Sequence, residues 1–173
     1  MRLIFLVCAF LLSNMAFAAS TQPFSLTSSA VADQGVIPVL YTCDGKDFSP
    51  PLKWAGVPEK TAAFALVVSD PDAPAGVFYH WLVFNIPKAV SQLNENASLP
   101  SGSMTVKNSF GKNQYNGPCP PKGSSHHYIF TLYALDNLLT LSNDAESQTV
   151  IAEIKKHRLL EVKLTATYSR WGK

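Results

Sequence analysis

The stretch that decides the fold is Phe64-Ala65-Leu66-Val67-Val68-Ser69, followed at once by Asp70-Pro71-Asp72-Ala73-Pro74. Phe64 to Val68 is unbroken apolar sequence, and a run this short, closed by a turn, suits a strand buried on both faces. Pro71 lacks an amide N–H and cannot continue a ladder, so the strand must stop there. Working outward, His80–Ile86 (HWLVFNI) and Tyr128–Leu135 (YIFTLYAL) are aromatic and β-branched, and read as two more strands. From Leu160 to Tyr168 the chain alternates. Leu160, Val162, Leu164, Ala166 and Tyr168 lie on one face, and Glu161, Lys163, Thr165 and Thr167 on the other, as in a half-buried strand. Shorter strands are expected at Phe24–Thr27, Leu40–Thr42 and Leu52–Trp54.

The spacing predicts one helix, Asn143–Arg158. Asn143 is placed to cap it, and Glu146 to complete a capping box. Val150, Ile151 and Ile154 form its apolar stripe, and Lys155, Lys156, His157 and Arg158 crowd the last turn, where cations suit the helix dipole. Between Ser101 and Ser125 lie Gly102, Gly111, Gly117 and Gly123, with Pro118, Pro120 and Pro121. This reads as a long irregular loop, and such loops in compact domains usually carry function. The expected fold class is mainly β: an antiparallel β-sandwich with one or two peripheral helices.

Composition agrees. The chain has 173 residues, 47% hydrophobic and 15% charged, with 12 prolines, which argues against a coiled coil, a long helical bundle or disorder. A net charge of +2 gives no electrostatic case for nucleic acid. The N-terminus reads as a secretory signal peptide over residues 1–18. Met1-Arg2 gives a positive start, Leu3–Leu12 an apolar run, and Ala16-Phe17-Ala18 a cleavage pattern. The run is shorter than the ~20 residues a membrane span needs. No second run of spanning length follows, so a single domain over 19–173 is expected to be exported, to a periplasm or the exterior.

Export changes the reading of the cysteines. Cys8 leaves with the signal, and Cys43 and Cys119 remain. An even pair in an oxidising compartment is most often a disulfide. The alternative is a Cys119 nucleophile served by His126 or His127.

Three clusters offer chemistry. Asp70-Pro71-Asp72-Ala73-Pro74 holds two carboxylates at a strand end, although Asp and Pro are also ordinary turn residues. His80-Trp81 opens the next strand, where a histidine can equally be a satisfied core residue. Gly117-Pro118-Cys119-Pro120-Pro121-Lys122-Gly123 makes a stiff wall poor in amide donors, leading to His126-His127-Tyr128. Strand alternation puts His126 and Tyr128 on one face and His127 on the other.

The ordered set resembles the phosphatidylethanolamine-binding protein family, and in particular its bacterial Raf-kinase-inhibitor-like branch. It comprises DPDAP, a histidine opening a strand that runs to Asn85-Ile86-Pro87, then GPxPPxG and H-x-Y. Tyr41-Thr42-Cys43-Asp44-Gly45, Ser49-Pro50-Pro51-Leu52-x-Trp54 and Tyr168-Ser169-Arg170 add to it. The resemblance spans nearly all of residues 19–173. It implies a small anion-accepting pocket near one end of a sandwich, built from Asp70, His80, Gly117, Pro118, Pro121, His126 and Tyr128, with Asp72 and Pro74 bracing its rim. Where the family often has arginine between the histidine and the tyrosine, this chain has His127, which removes a permanent cation.

The physical logic fits a phosphate or carboxylate. Histidines can donate to an anion, aspartates beside them fix a tautomer, and a tyrosine hydroxyl adds a neutral donor. The expectation is a non-enzymatic binding protein without a cofactor or metal. Its partners are a small anion or phospholipid headgroup and, through modulation or inhibition, another protein, but not nucleic acid. The competing expectation is a hydrolase using a metal on Asp70, His80 and His126, or a Cys119 thiol. Against it, the sequence has no H-E-x-x-H, no zinc-spaced C-x-x-C and no G-x-S-x-G elbow. A plain adhesion or structural sandwich is the third reading.

Overall fold

In a computed structural model, which describes residues 22–96 and 98–171, the run Phe64–Ser69 lies inside β4 (Ala63–Asp70), at the heart of a six-stranded sheet. The expected signal peptide, with Cys8, lies outside the described residues. β4 pairs antiparallel with β5 (Phe78–Pro87) on one side and β8 (Ser125–Leu135) on the other. β9 (Arg158–Ser169) pairs antiparallel with β8. β7 (Met104–Thr105) extends the β5 edge, and β2 (Gly35–Val36) the β9 edge. A second, three-stranded sheet runs β1 (Ser25–Thr27), β3 (Leu52–Ala55), β6 (Gln92–Leu93).

The two-sided burial of β4 follows from what covers each face of the large sheet. Phe64, Leu66 and Val68 point toward the small sheet, where they join Leu26, Leu52, Trp54 and Leu93. Ala65 and Val67 point the other way, onto α1 (Ser147–His157), which contributes Val150, Ile151 and Ile154. Each face therefore buries apolar surface, worth roughly 25 cal/mol per Å². Among the described residues the fold is a sandwich with one peripheral α-helix, within the one or two that the sequence led us to expect.

Several local expectations are corrected. The helix starts at Ser147, with Glu146 at the N-cap and no side-chain capping bond, so Asn143 does not cap it. Asn143 and Asp144 lie in a turn in which the Ser142 hydroxyl bonds Asp144, a local alternative that Ser and Asp side chains offer the backbone. Leu40–Thr42 is not a strand. Val39–Tyr41 forms a 3-10 turn whose following residue, Thr42, donates its hydroxyl to Val39 O at 2.9 Å. The sheet is not wholly antiparallel, since β2 runs parallel to β9. The alternation of Leu160–Tyr168 holds for Leu164, Ala166 and Tyr168, which are buried, but Leu160 is 52% exposed. Burial fades there because β9 is flanked by β8 alone before β2 joins at Ala166. The long loop of residues 101–125 contains the short strand β7.

Candidate functional site

Antiparallel pairing brings the end of β4 beside the starts of β5 and β8, so the three chemical clusters meet at one end of the large sheet. They enclose a cleft of about 160 Å³. Asp70 closes β4, and Ala73 and Pro74 of the following turn line one side. Phe78 and His80 enter from β5, and His126 and Tyr128 from β8. Phe110 and the segment Cys119-Pro120-Pro121 come from the long loop.

The polar groups are buried and directional. Asp70 and His126 are nearly inaccessible, and His126 Nδ1–H donates to Asp70 Oδ2 at 2.7 Å. His80 Nδ1 stands 2.6 Å from the Asn116 carbonyl. A carbonyl only accepts, so the His80 proton is on Nδ1 and Nε2 is the nitrogen that remains. Burial holds the His80 ring below its ordinary pKa and keeps it neutral, against the pull of the Asn116 carbonyl and the Asp70 charge. Of its two nitrogens only Nε2 is therefore left for a ligand, and in the neutral ring it is an acceptor.

Tyr128 is fully buried, and its hydroxyl has no hydrogen-bond partner of normal geometry among the described residues. Burial and the nearby Asp70 charge push its pKa far above the usual phenol value, so it stays a donor. At the rim, Asp72 Oδ2 accepts from the His127 backbone N–H at 2.8 Å and from its Nδ1 at 2.7 Å. Those bonds hold the Asp72 carboxyl below its ordinary pKa. His127 points outward, as strand alternation requires, and no Lys or Arg lines the cleft among the described residues.

Four aromatic rings form the inner wall. His80 lies 5.3 Å from Phe78, 5.5 Å from Phe110 and 5.2 Å from Tyr128, centroid to centroid, and Phe78 meets Phe110 edge-on at 4.8 Å. The sequence reading missed Phe78 and Phe110. Phe78 had a signal, because it stands two residues before His80 and shares its face of the strand. Phe110 had none, since nothing in an irregular loop fixes its direction.

Gly117 and Pro118 do not line the cleft. They stand behind it and fix the loop. Gly117 N–H donates to Asp47 Oδ1 at 2.6 Å, and Pro118 O accepts from Cys43 N–H at 3.1 Å. A Cβ on Gly117 would lie 2.1 Å from the Tyr41 carbonyl oxygen, so only glycine allows this approach. Asn116 Nδ2 donates to Asp47 Oδ2 at 3.2 Å. Asn108 Nδ2 reaches the His80 carbonyl at 3.1 Å and Asn116 Oδ1 at 2.9 Å. Asp47, Asn108 and Asn116 were also absent from the sequence reading. They act through their neighbours, and spacing carries no mark of them.

The Cys43–Cys119 disulfide is present, with its Cα atoms 5.4 Å apart, well within bonding geometry. It ties the segment after the 3-10 turn to the cleft wall, and it commits the sulfur that the thiol alternative needed. No group of three or more His, Cys, Asp or Glu among the described residues is arranged to hold a metal ion. Asp70, His80 and His126 share the cleft without forming such a group.

The fold is thus a two-sheet β-sandwich whose cleft, at one end of the large sheet, brings together a buried Asp–His pair, a second histidine and a tyrosine hydroxyl. Comparison with known proteins gives the family. The family model for phosphatidylethanolamine-binding protein matches residues 27–169. A UPF0098 protein of Methanothermobacter thermautotrophicus is 45% identical over 150 residues, covering 84% of this chain and 99% of its own. The UPF0098 protein YbcL of Escherichia coli is 32% identical over 177 residues, covering 94% and 97%. The crystal structure of YbcL, described as a new member of the mammalian PEBP family, superposes with a TM-score of 0.81, covering 86% of this chain and 99% of that one. The chain belongs to the phosphatidylethanolamine-binding protein family.

Proposed function

We propose that this chain is an exported, non-enzymatic binding protein whose cleft takes a small anion or a phosphorylated headgroup, and which modulates or inhibits a partner protein. The observation that carries this reading is the Tyr128 hydroxyl, buried without a partner at the cleft beside two buried histidines. An unmade buried hydrogen bond costs roughly 1–3 kcal/mol, a cost that a ligand oxygen accepting from this hydroxyl would relieve. Family membership supports a headgroup or anion as that ligand. The signal-like residues 1–18 and the disulfide support export, as does the name of a mycobacterial relative, LppC, which calls it a lipoprotein. No helix among the described residues is long and apolar enough to cross a membrane.

The test is calorimetric titration of O-phosphoethanolamine into wild type, His126→Ala and Tyr128→Phe, with circular dichroism as the folding control. Each variant should lose roughly 1.5–3 kcal/mol of affinity, the range for a hydrogen bond to a charged group. Unchanged affinity in both well-folded variants would place the anion elsewhere.

A further inference from the structure

The cleft holds a proton inventory that a fully deprotonated anion does not fit. We propose that His80 selects ligands that bring their own proton: a phosphomonoester in its singly protonated form, donating P–OH to His80 Nε2, in preference to a phosphodiester. This rests on the reading of the cleft as an anion site and names the ligand within it.

The argument is geometric. His80 Nδ1 is spent on the Asn116 main-chain carbonyl at 2.6 Å, and the Asn116 side chain is anchored by its Nδ2 donating to Asp47 Oδ2 at 3.2 Å. The ring is 3% exposed and packed by Phe78, Phe110 and Tyr128, so it cannot turn over without breaking that packing. Its Nε2 lone pair therefore meets any ligand that enters.

The charged and titratable groups around His80 are few. Asp70 ends β4, with Asp72 just beyond it. His126, His127 and Tyr128 open β8. Asp47 sits behind Asn116 and Gly117. The nearest arginine to the loop, Arg170, is engaged by Asp44 at 2.8 Å and the Pro120 carbonyl at 3.3 Å, and does not line the cleft. Pro118, Pro120 and Pro121 offer no amide N–H. A phosphate dianion would thus set one oxygen against a nitrogen lone pair, beside the Asp70 carboxylate.

A monoester monoanion resolves the conflict. Its P–OH donates to His80 Nε2, while another of its oxygens accepts from the Tyr128 hydroxyl. The second phosphate pKa lies at about 6, so the proton is available near neutrality. A diester has no P–OH to give and leaves the acceptor facing an acceptor. The hydrogen bond so lost is worth tenfold or more in affinity.

The test is titration calorimetry on the wild-type protein with two probes that share the ethanolamine ammonium: O-phosphoethanolamine, a monoester, and glycerophosphoethanolamine, a diester. Buffers of different ionisation heat give the proton count. At about pH 8 the monoester should take up close to one proton on binding, and its association constant should fall about tenfold per pH unit above its second pKa. At about pH 6 the diester should bind at least about tenfold more weakly. Monoester binding without proton uptake, or equal affinity for the two probes, would overturn the inference while leaving the cleft an anion site. If neither probe binds, the anion reading of the cleft fails and this inference with it.

Discussion

The helix-covered face and the cleft end of Tyr128's sheet are held by different physics. The face under α1 is closed by shape alone: Val150, Ile151 and Ile154 press on Ala65, Val67, Leu82 and Phe84, all buried. The cleft end is closed by a covalent bond, a carboxylate between two loop residues and a fixed asparagine pair, and it leaves one hydroxyl unmatched. An apolar interface tolerates small shifts, because dispersion and burial are non-directional. A polar wall does not. It must be braced from behind if its side chains are to keep their directions, and here the brace includes Gly117, where a Cβ would meet the Tyr41 carbonyl oxygen.

The sharpest way to break this contrast is to cut the brace. Cys43→Ser with Cys119→Ser opens a loop of 76 positions, and chain entropy sets an upper estimate of about 4–5 kcal/mol of lost stability in urea unfolding. A loss below about 1 kcal/mol would mean that the hydrogen bonds to Asp47 hold the cleft wall by themselves. Next comes the helix side. Ile154→Ala empties a fully enclosed site and should cost about 3 kcal/mol in the same assay, with ligand affinity unchanged. Affinity falling with it would couple the helix-covered face to the cleft.

Tyr128→Phe is smaller and opposite in sign. It removes a buried polar atom that has no partner, so thermal unfolding should show a gain of about 1 kcal/mol while binding weakens. A destabilised Phe variant would show that the hydroxyl is satisfied in the free protein.

The smallest effect is the one that titrates. Folded His80 sits below the ordinary histidine pKa of about 6.5, so the folded state binds fewer protons than the unfolded chain. Stability should be unaffected by His80 above neutrality and fall as pH drops below about 6.5, levelling once the folded pKa is passed. Melting temperatures against pH, compared with His80→Gln, should show that acid limb flattened in the variant.

How much of this was legible in the sequence depends on whether a residue acts by periodicity or by contact. β4, β5, β8 and the end of β9 announced themselves through apolar runs and alternation, and Asp70, His80, His126 and Tyr128 follow because each is fixed to a strand whose direction is known. The same rule placed His127 outward. Asn143 misled, because a residue suited to capping is equally suited to the turn it occupies, and only the packing of Val150 and Ile154 decides where the helix begins. Leu40–Thr42 misled because three apolar or β-branched residues fit either a strand or a tight turn. Gly117 and Pro118 stand outside the cleft lining, Gly117 where the backbone of Tyr41 leaves no room for a Cβ. Asp47, Asn108 and Asn116 left no trace in spacing, since their partners are chosen by a loop with no period.

The pairing of β2 with β9 sets a timetable for the chain. The Thr167 hydroxyl meets the Gly35 carbonyl across 132 positions, and Gln34 and Ile37 donate their amides to Thr165 and Thr167. As the polypeptide emerges from a ribosome, the segment around residue 35 has no edge to join until β9 has followed it out. Its neighbours Ile37 and Tyr41 belong to the main core and stay uncovered for that interval. Closure across such a distance is slow, and slow closure leaves apolar segments open to other chains.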